Sequence, residues 1–354
     1  MLGKKISAIL LSTALIGGCT ATAQPIVLED QGSFMAGGKT ITAKGTFDAG
    51  QPMNEAGQTL HGDHAYVFYQ KPVHAKANGI VFLHGYGQSG KSWETTTDGR
   101  EGFQNIFLRK GYSVYLVDQP RRGRAGRSTE AGSISAKPDD QLWFNNFRMG
   151  EWPDFYDNVQ APRDAASLAQ FFQQMTPDTG PYDNQVIADA MVAVMEKAGD
   201  AVLMTHSAGG GPGWETAMRS NKVKAVIALE PGTFPFPENQ MPAVEKTSSP
   251  FPARGTPVAM ADFLKLTQIP IVVYFGDNIP TEYSDQFGLD NWRVRVNLAK
   301  KWQALMQQHG GDVSIVLLPE AGVKGNTHFM MSDLNNAEVA DVIERWLASK
   351  GLNR

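Results

Sequence analysis

The sequence predicts an α/β fold: a mostly parallel central sheet flanked by helices and carrying cap or lid insertions. Three observations predict it. Short apolar runs suited to buried strands recur along the chain, the stretches between them are long enough for helices, and small or charged residues capable of chemistry follow the ends of those runs. Strands alternating with helices imply a parallel sheet covered on both faces. The composition agrees, since 42% hydrophobic and 19% charged residues are globular values. The 354 residues suit one large α/β domain or two smaller ones.

Residues 1–23 read as an export leader rather than as fold. Met1-Leu2-Gly3-Lys4-Lys5 is a positive start, and residues 6–17 form an apolar stretch of export length. That stretch is too short to span a bilayer as a stable helix. Two processing outcomes stay open. Leu15-Ile16-Gly17-Gly18-Cys19 resembles a bacterial lipobox, in which cleavage before Cys19 leaves a lipidated, membrane-attached N-terminus. Ala21-Thr22-Ala23 is an ordinary small-x-small cleavage site before Gln24. The lone cysteine of the chain stands where a lipobox needs it, which favours the lipoprotein. Both outcomes imply export, to the periplasm, to the outer membrane as a lipoprotein, or to the medium. Residues 24–354 are then the folded domain, which relies on its core rather than on a disulfide. A catalytic cysteine is excluded.

Residues 31–50 read as short strands joined by glycine pairs, and Ala65-Tyr66-Val67-Phe68-Tyr69 as a further strand. His61-Gly62-Asp63-His64 reads as a polar loop before it, not a metal site; no HExxH or paired CxxC occurs, and neither a metal nor a cofactor is implied. Gly79-Ile80-Val81-Phe82-Leu83 is a buried strand that runs into His84-Gly85-Tyr86-Gly87-Gln88-Ser89-Gly90. A helix over 103–110 and a strand at Tyr112-Ser113-Val114-Tyr115-Leu116-Val117 follow. The next loop holds Arg121, Arg122, Arg124 and Arg127, read as solvated arginines in an acidic protein of net charge −4. That balance carries no basic footprint for nucleic acid.

Two insertions interrupt the alternation. Residues 132–184 carry Trp143, Phe144, Phe147, Trp152, Phe155 and Tyr156, and loops of this length are usually functional or contain their own helices. Residues 231–257 hold seven prolines, Pro231 and Pro257 included, which restrict the segment without making it helical. Together they read as a cap whose aromatics bind an apolar or aromatic substrate group, cement the insertions to the core, or do both.

The chemistry centres on Ala201-Val202-Leu203-Met204 followed by Thr205-His206-Ser207-Ala208-Gly209-Gly210. A strand, a small-residue turn with Ser at its apex and then a helix expose a serine nucleophile above a sheet. Thr205 stands where the usual G-x-S-x-G pattern has its first Gly, so the elbow is a variant. Acyl transfer also needs two backbone N–H groups aimed at the oxyanion. Ala208, after the nucleophile, and Tyr86, in the glycine-rich loop after the earlier strand, are the candidates. Two carboxylates follow strand-like runs, where sites collect in open α/β sheets: Glu230 after residues 223–229 and Asp277 after residues 269–275. Glu230 is fixed by Pro231 and has no evident structural reason to be charged; Asp277 beside Gly276 and Asn278 also fits a turn. His328, between a strand at 313–318 and a helix at 337–350, is the candidate base. The order Ser, acid, His is that of a hydrolase triad in which His takes the serine proton and the carboxylate orients the ring. His206 sits beside the apex and points elsewhere, a structural position.

These motifs resemble the α/β-hydrolase superfamily, and most of all the bacterial esterase 713-like family. His84-Gly85-Tyr86-Gly87, His206-Ser207-Ala208-Gly209, Leu229-Glu230-Pro231-Gly232 and Thr327-His328 carry the likeness, over residues 65–350. The resemblance implies a Ser–Glu–His triad, which adds weight to Glu230 over Asp277. It also implies a serine carboxylesterase acting on a small-molecule ester through an acyl-enzyme, and it is compatible with a homodimer. A lactonase, thioesterase or peptidase would use the same triad, because fold and triad do not set the substrate. A non-catalytic binding lipoprotein on the same scaffold is the reading from outside enzymes, although every catalytic role here has a candidate residue.

Overall fold

The apolar runs pair into one eight-stranded sheet in a computed structural model that describes residues 24–354. In chain order its strands are β1 (Leu28–Thr42), β2 (Thr59–Pro72), β3 (Gly79–Leu83), β4 (Val114–Asp118), β5 (Ala201–His206), β6 (Val223–Leu229), β7 (Ile271–Phe275) and β8 (Val313–Leu317). Their spatial order is β1-β2-β4-β3-β5-β6-β7-β8. β1 and β2 are antiparallel to each other, β2 is antiparallel to β4, and the remaining pairs are parallel. The inner parallel strands are short, largely apolar and buried on both faces, as crossover helices require, while the edge strand β8 is half-buried. Alternation sorts their side chains: Val81, Leu83, Leu203, Val226 and Val273 join one core, while Ile80, Phe82, Val202, Met204, Ile227 and Val272 join the other. Each such side chain contributes about 1.5–3 kcal/mol on burial.

Helices α1 (Phe103–Arg109), α2 (Asp140–Asn146), α3 (Ala165–Gln173), α4 (Asn184–Ala198), α5 (Gly210–Arg219), α6 (Met260–Leu266), α7 (Phe287–Gln308) and α8 (Asn336–Ser349) cover the sheet. The insertion at 132–184 folds as α2, a small hairpin (Gly150–Glu151 with Asp154–Phe155) and α3. The proline-rich insertion is pinned by a short parallel pair, Pro235–Pro237 with Thr256–Val258. α7 reaches the first insertion closely, because a Cβ on Gly288 would stand 2.1 Å from Asn145 O. Trp292 Nε1–H of α7 donates to Asn146 O at 2.7 Å.

Three expectations are corrected. Residues 31–50 do not form short strands broken at glycine pairs; β1 runs unbroken through Gly37 and Gly38. Those glycines serve close approach in left-handed backbone (φ 66° and 92°), where a Cβ would lie 2.8 Å from Ala190 Cα of α4 and 2.7 Å from Gly62 O. His61-Gly62-Asp63-His64 is not a loop before β2 but lies inside it. Asp63 there is buried and takes Arg121 Nε–H at 2.8 Å, Arg121 Nη2–H at 3.0 Å and Thr129 N–H at 3.1 Å. The arginine loop is correspondingly less solvated than its composition suggests. Arg121 pairs with Asp63, Arg122 with Asp178 and Arg124 with Asp118, and Arg121 and Arg122 are buried.

Strand order reverses between β3 and β5, which run side by side with Leu83 opposite Thr205. Open α/β sheets bind ligands outside the carboxyl ends of strands at such a reversal. The expected leader, with Cys19 and its two cleavage sites, lies outside the described residues. Among the described residues, no helix is long and apolar enough to cross a membrane.

Candidate active site

Register brings the candidate residues level. His206 at the end of β5 is opposite Leu229 at the end of β6, and Leu229 is opposite Tyr274 of β7. Ser207 and Glu230 therefore leave adjacent strands at the same height, one residue beyond the ladder. Both turn sharply there in left-handed backbone, Ser207 at φ 53° and Glu230 at φ 45°. L-residues with a Cβ adopt this region only when surrounding structure imposes it. Ser207 opens a short 3₁₀ turn that continues into α5.

The neighbours permit this turn because they lack side chains. A Cβ on Gly85 would stand 2.7 Å from Ser207 Cβ, and one on Gly209 2.4 Å from His84 O. The departure at Thr205 is absorbed on the helix side: a Cβ on Gly213 of α5 would meet Thr205 Cγ2 at 2.5 Å.

His328 is delivered by the loop between β8 and α8, and that loop is tied down. Asp333 accepts from Thr327 N–H at 2.7 Å, Thr327 Oγ1–H at 2.8 Å and Asn326 Nδ2–H at 3.2 Å. Burial pushes Asp333 up to about 7 even so. The His328 ring lies 5.2 Å from Phe147, 4.4 Å from His206 and 4.2 Å from Trp292. Its Nδ1–H donates to Glu230 Oε2 at 2.6 Å. Its Nε2 is buried and bonds to no described residue.

Glu230 is buried and fully engaged. Besides His328, it accepts from Gly276 N–H at 2.7 Å and from both terminal nitrogens of Arg148, Nη1 at 2.9 Å. Burial opposes its charge, but the Arg148 guanidinium, the His328 bond and the His328 charge hold it down to about 2. Burial draws His328 below an ordinary histidine, and Glu230 offsets this only in part; Arg148 and Arg295 reinforce the lowering. At neutral pH the site is therefore a carboxylate beside a neutral imidazole with a free Nε2 lone pair. His84 and His206 are also neutral: burial lowers His84 to about 4 and puts His206 well below the ordinary value. His206 is structural in contact as well, with Nε2–H donating to His328 O at 2.9 Å.

Asp277 does not touch His328. Its carboxylate takes Asn278 N–H at 2.7 Å and Gly325 N–H at 2.8 Å, while its carbonyl takes Arg148 Nε–H at 2.8 Å. It binds the β7 turn to the His328 loop.

Arg148 is the residue that sequence reasoning missed. It follows α2 in left-handed backbone (φ 58°), is fully buried, and lies 5.2 Å from the Trp292 ring. No spacing rule links it to Glu230, 82 residues away. The only signal is its setting between Phe147 and Met149 in an aromatic-rich insertion.

A cleft of about 630 Å³ opens over Ser207, bordered by Tyr86, Ala208, Trp143, Phe251, Trp292 and Arg295. Ala208 stands in the first turn after β5, where N–H groups have no intrahelical acceptor. Trp143 stacks on Phe251 at 6.0 Å and lies 5.3 Å from Tyr86, whereas Phe144 and Phe147 are buried in the core. The insertion's aromatics thus both line the cleft and fasten it. Among the described residues, no group of three His, Cys, Asp or Glu side chains is arranged to hold a metal ion.

The fold and this constellation define a hydrolase of the α/β type. The general model of the alpha/beta hydrolase family matches residues 80–342, and the chain belongs to that family. A solved structure of a bacterial esterase is 31% identical and superposes with a TM-score of 0.74, over 93% of this chain and 98% of that one. The protein called Probable secreted lipase phiG, from Fungal sp. (strain ATCC 74256), is 29% identical over 310 residues, 76% of this chain and 81% of that protein. The chain is an esterase/lipase-like α/β hydrolase.

Proposed function

We propose that this protein is a serine carboxylesterase that hydrolyses small-molecule esters with an apolar or aromatic part through an acyl-enzyme. The observation that carries this reading is the 2.6 Å bond from His328 Nδ1–H to Glu230, which leaves a neutral Nε2 without a partner among the described residues, in a site whose adjacent strand ends in the left-handed Ser207. His328 Nε2 takes the Ser207 proton as Oγ attacks the ester carbonyl, and Glu230 steadies the imidazolium. The Tyr86 and Ala208 N–H groups hold the oxyanion of the tetrahedral intermediate. Collapse breaks the ester C–O bond, and the imidazolium returns its proton to the departing alcohol. Water, deprotonated by the same ring, then attacks the acyl-serine, and the ring returns that proton to Ser207 Oγ as the acyl–Oγ bond breaks and the acid is released.

The test is labelling of the purified protein by an active-site fluorophosphonate. Loss of labelling in Ser207→Ala, with strong slowing in Glu230→Gln but not in Asp277→Asn, is the expected pattern. A Ser207→Ala protein with full esterase activity refutes it, and slowing in Asp277→Asn alone moves the acid to β7.

Export is part of the proposal. The sequence of the leader supports it, as does similarity to a protein named as a secreted lipase. Lipidation at Cys19 is read out by fatty-acid labelling that a Cys19→Ala change removes; labelling that persists, or never occurs, leaves ordinary cleavage before Gln24.

A further inference from the structure

Among the described residues the four buried arginines each face a carboxylate: Arg121 faces Asp63, Arg122 Asp178, Arg148 Glu230 and Arg293 Asp290. Arg295 does not. It borders the cleft over Ser207, partly enclosed, and no described carboxylate lies within 4.0 Å of it. Its three hydrogen bonds all leave from Nη1, to Phe251 O at 3.2 Å, Asn291 O at 2.9 Å and Asn291 Oδ1 at 2.5 Å. Nε–H and Nη2–H bond to no described residue and are not sealed in the interior. That Nε–Nη2 edge is the fork that receives both oxygens of a carboxylate.

Position and energetics agree. Arg295 Cζ lies 5.5 Å from the Trp292 ring, which also neighbours the His328 ring at 4.2 Å and Arg148 Cζ at 5.2 Å. Trp292 thus touches both the unpaired cation and the base. Burial pushes the guanidinium down to about 10, with no anion to restore it. A partly desolvated cation without a counter-ion is costly, and pairing with an anion offsets that cost.

We propose that Arg295 recognises a carboxylate on the substrate, so that the preferred substrates are carboxylate-bearing esters rather than neutral ones. The inference rests on reading the cleft as the site of ester hydrolysis. The carboxylate belongs either to the acyl part, as in the monoester of a dicarboxylic acid, or to the alcohol part, as in an acylated hydroxy acid. Both present the same anion to the same fork.

Two matched pairs separate these sources: 4-nitrophenyl pentanoate against the 4-nitrophenyl monoester of glutaric acid, and phenyl butyrate against 4-butyryloxybenzoate. The anionic member of at least one pair is expected to have the higher kcat/KM, by about tenfold or more for a charge-assisted bond. That ratio is expected to fall about tenfold or more in Arg295→Gln and to survive in part in Arg295→Lys. Ratios at or below one in both pairs, or ratios unchanged in Arg295→Gln, overturn the proposal. Failure of the esterase reading looks different: no pair member is hydrolysed in a Ser207-dependent way. In that case calorimetry with glutarate and with 4-hydroxybenzoate decides the anion site. Binding by wild type that Arg295→Gln abolishes supports it, and no binding to wild type overturns it.

Discussion

Replacing Arg148 with Met is the change that most directly probes how the carboxylate is held. In the native site Arg148 takes both Glu230 oxygens and also donates Nε–H to Asp277 O at 2.8 Å. Glu230 lies at about 2 instead of the ordinary 4.5. That depression is set by Arg148 and His328 together, against burial. Removing one partner of a buried ion pair costs about 3–5 kcal/mol, because the other charge is stranded. Arg148→Met is expected to lose about 3–5 kcal/mol at neutral pH.

The sign with pH follows from the direction of the shift. Glu230 is held below its unfolded value, so its contribution is fully present above about 4.5 and disappears as the pH falls through about 2. The gap between wild type and Arg148→Met is therefore widest at neutral pH and closes in acid. Arg148 also helps to keep His328 neutral, so the variant's acid limb of kcat/KM should move to higher pH. Urea unfolding followed by circular dichroism across this range, with pH–rate profiles on a neutral ester, reads both effects. An Arg148→Met protein within about 1 kcal/mol of wild type at pH 7, with an unmoved acid limb, refutes the pairing as the source of Glu230's charge.

Other perturbations separate the remaining parts. Glu230→Gln is expected to lower kcat by about 10²–10⁴-fold, since an amide cannot steady the imidazolium or enforce its tautomer. Asp277→Asn should lower thermal stability with a far smaller effect on kcat, because its bonds go to Gly325 and Asn278 rather than to His328. For wild type, kcat/KM should fall only below the ordinary histidine value of 6.5, since burial lowers His328; an acid limb above that value contradicts a neutral buried base. At position 207, Gly should be more stable than Ala in thermal unfolding, reversing an order in which Ala normally gains about 0.4–1 kcal/mol over Gly. A Gly variant less stable than Ala would mean that φ 53° carries no strain there.

The parts of the site legible in the sequence are those that local pattern dictates. A strand must precede Ser207, small residues must surround it, and Glu230 and His328 must follow in order at strand ends; all of this is written in runs of about ten residues. The unreadable parts depend on tertiary partners. Arg148 gains its meaning only when α7 docks on the first insertion and β6 presents Glu230, 82 residues further along. Gly37 and Gly38 look like breaks because a sequence shows a missing side chain but not the α4 backbone that requires it. Arg295 stands three residues beyond Trp292 on an amphipathic helix, where a solvated arginine would look the same. The second, helix-side glycine that admits Thr205 is equally a matter of contact, since Gly213 alone reads as a poor helix former.

The distribution of strain ties fold to chemistry. Among the described residues, seven non-glycine residues have positive φ, and three of them, Arg148, Ser207 and Glu230, form the site, while a fourth, Asn278, follows Asp277 in the turn that anchors it. Each such residue costs on the order of 1–3 kcal/mol and persists only where its surroundings over-determine it. Here the surroundings do so in concert. Gly85 and Gly209 leave room for Ser207, Tyr274 O takes the Glu230 N–H at 2.9 Å, and Asn145 O takes the Arg148 N–H at 3.1 Å. The strained residues also bind one another, because Arg148 and Glu230 are an ion pair. Loss of any one of them removes a constraint from the others, so stability and geometry at this site should change together rather than residue by residue. A double-mutant cycle between Arg148→Met and Glu230→Gln is the direct expression of that coupling. The combined variant should be much less destabilised than the sum of the two, because a buried amide without Arg148 leaves no stranded charge.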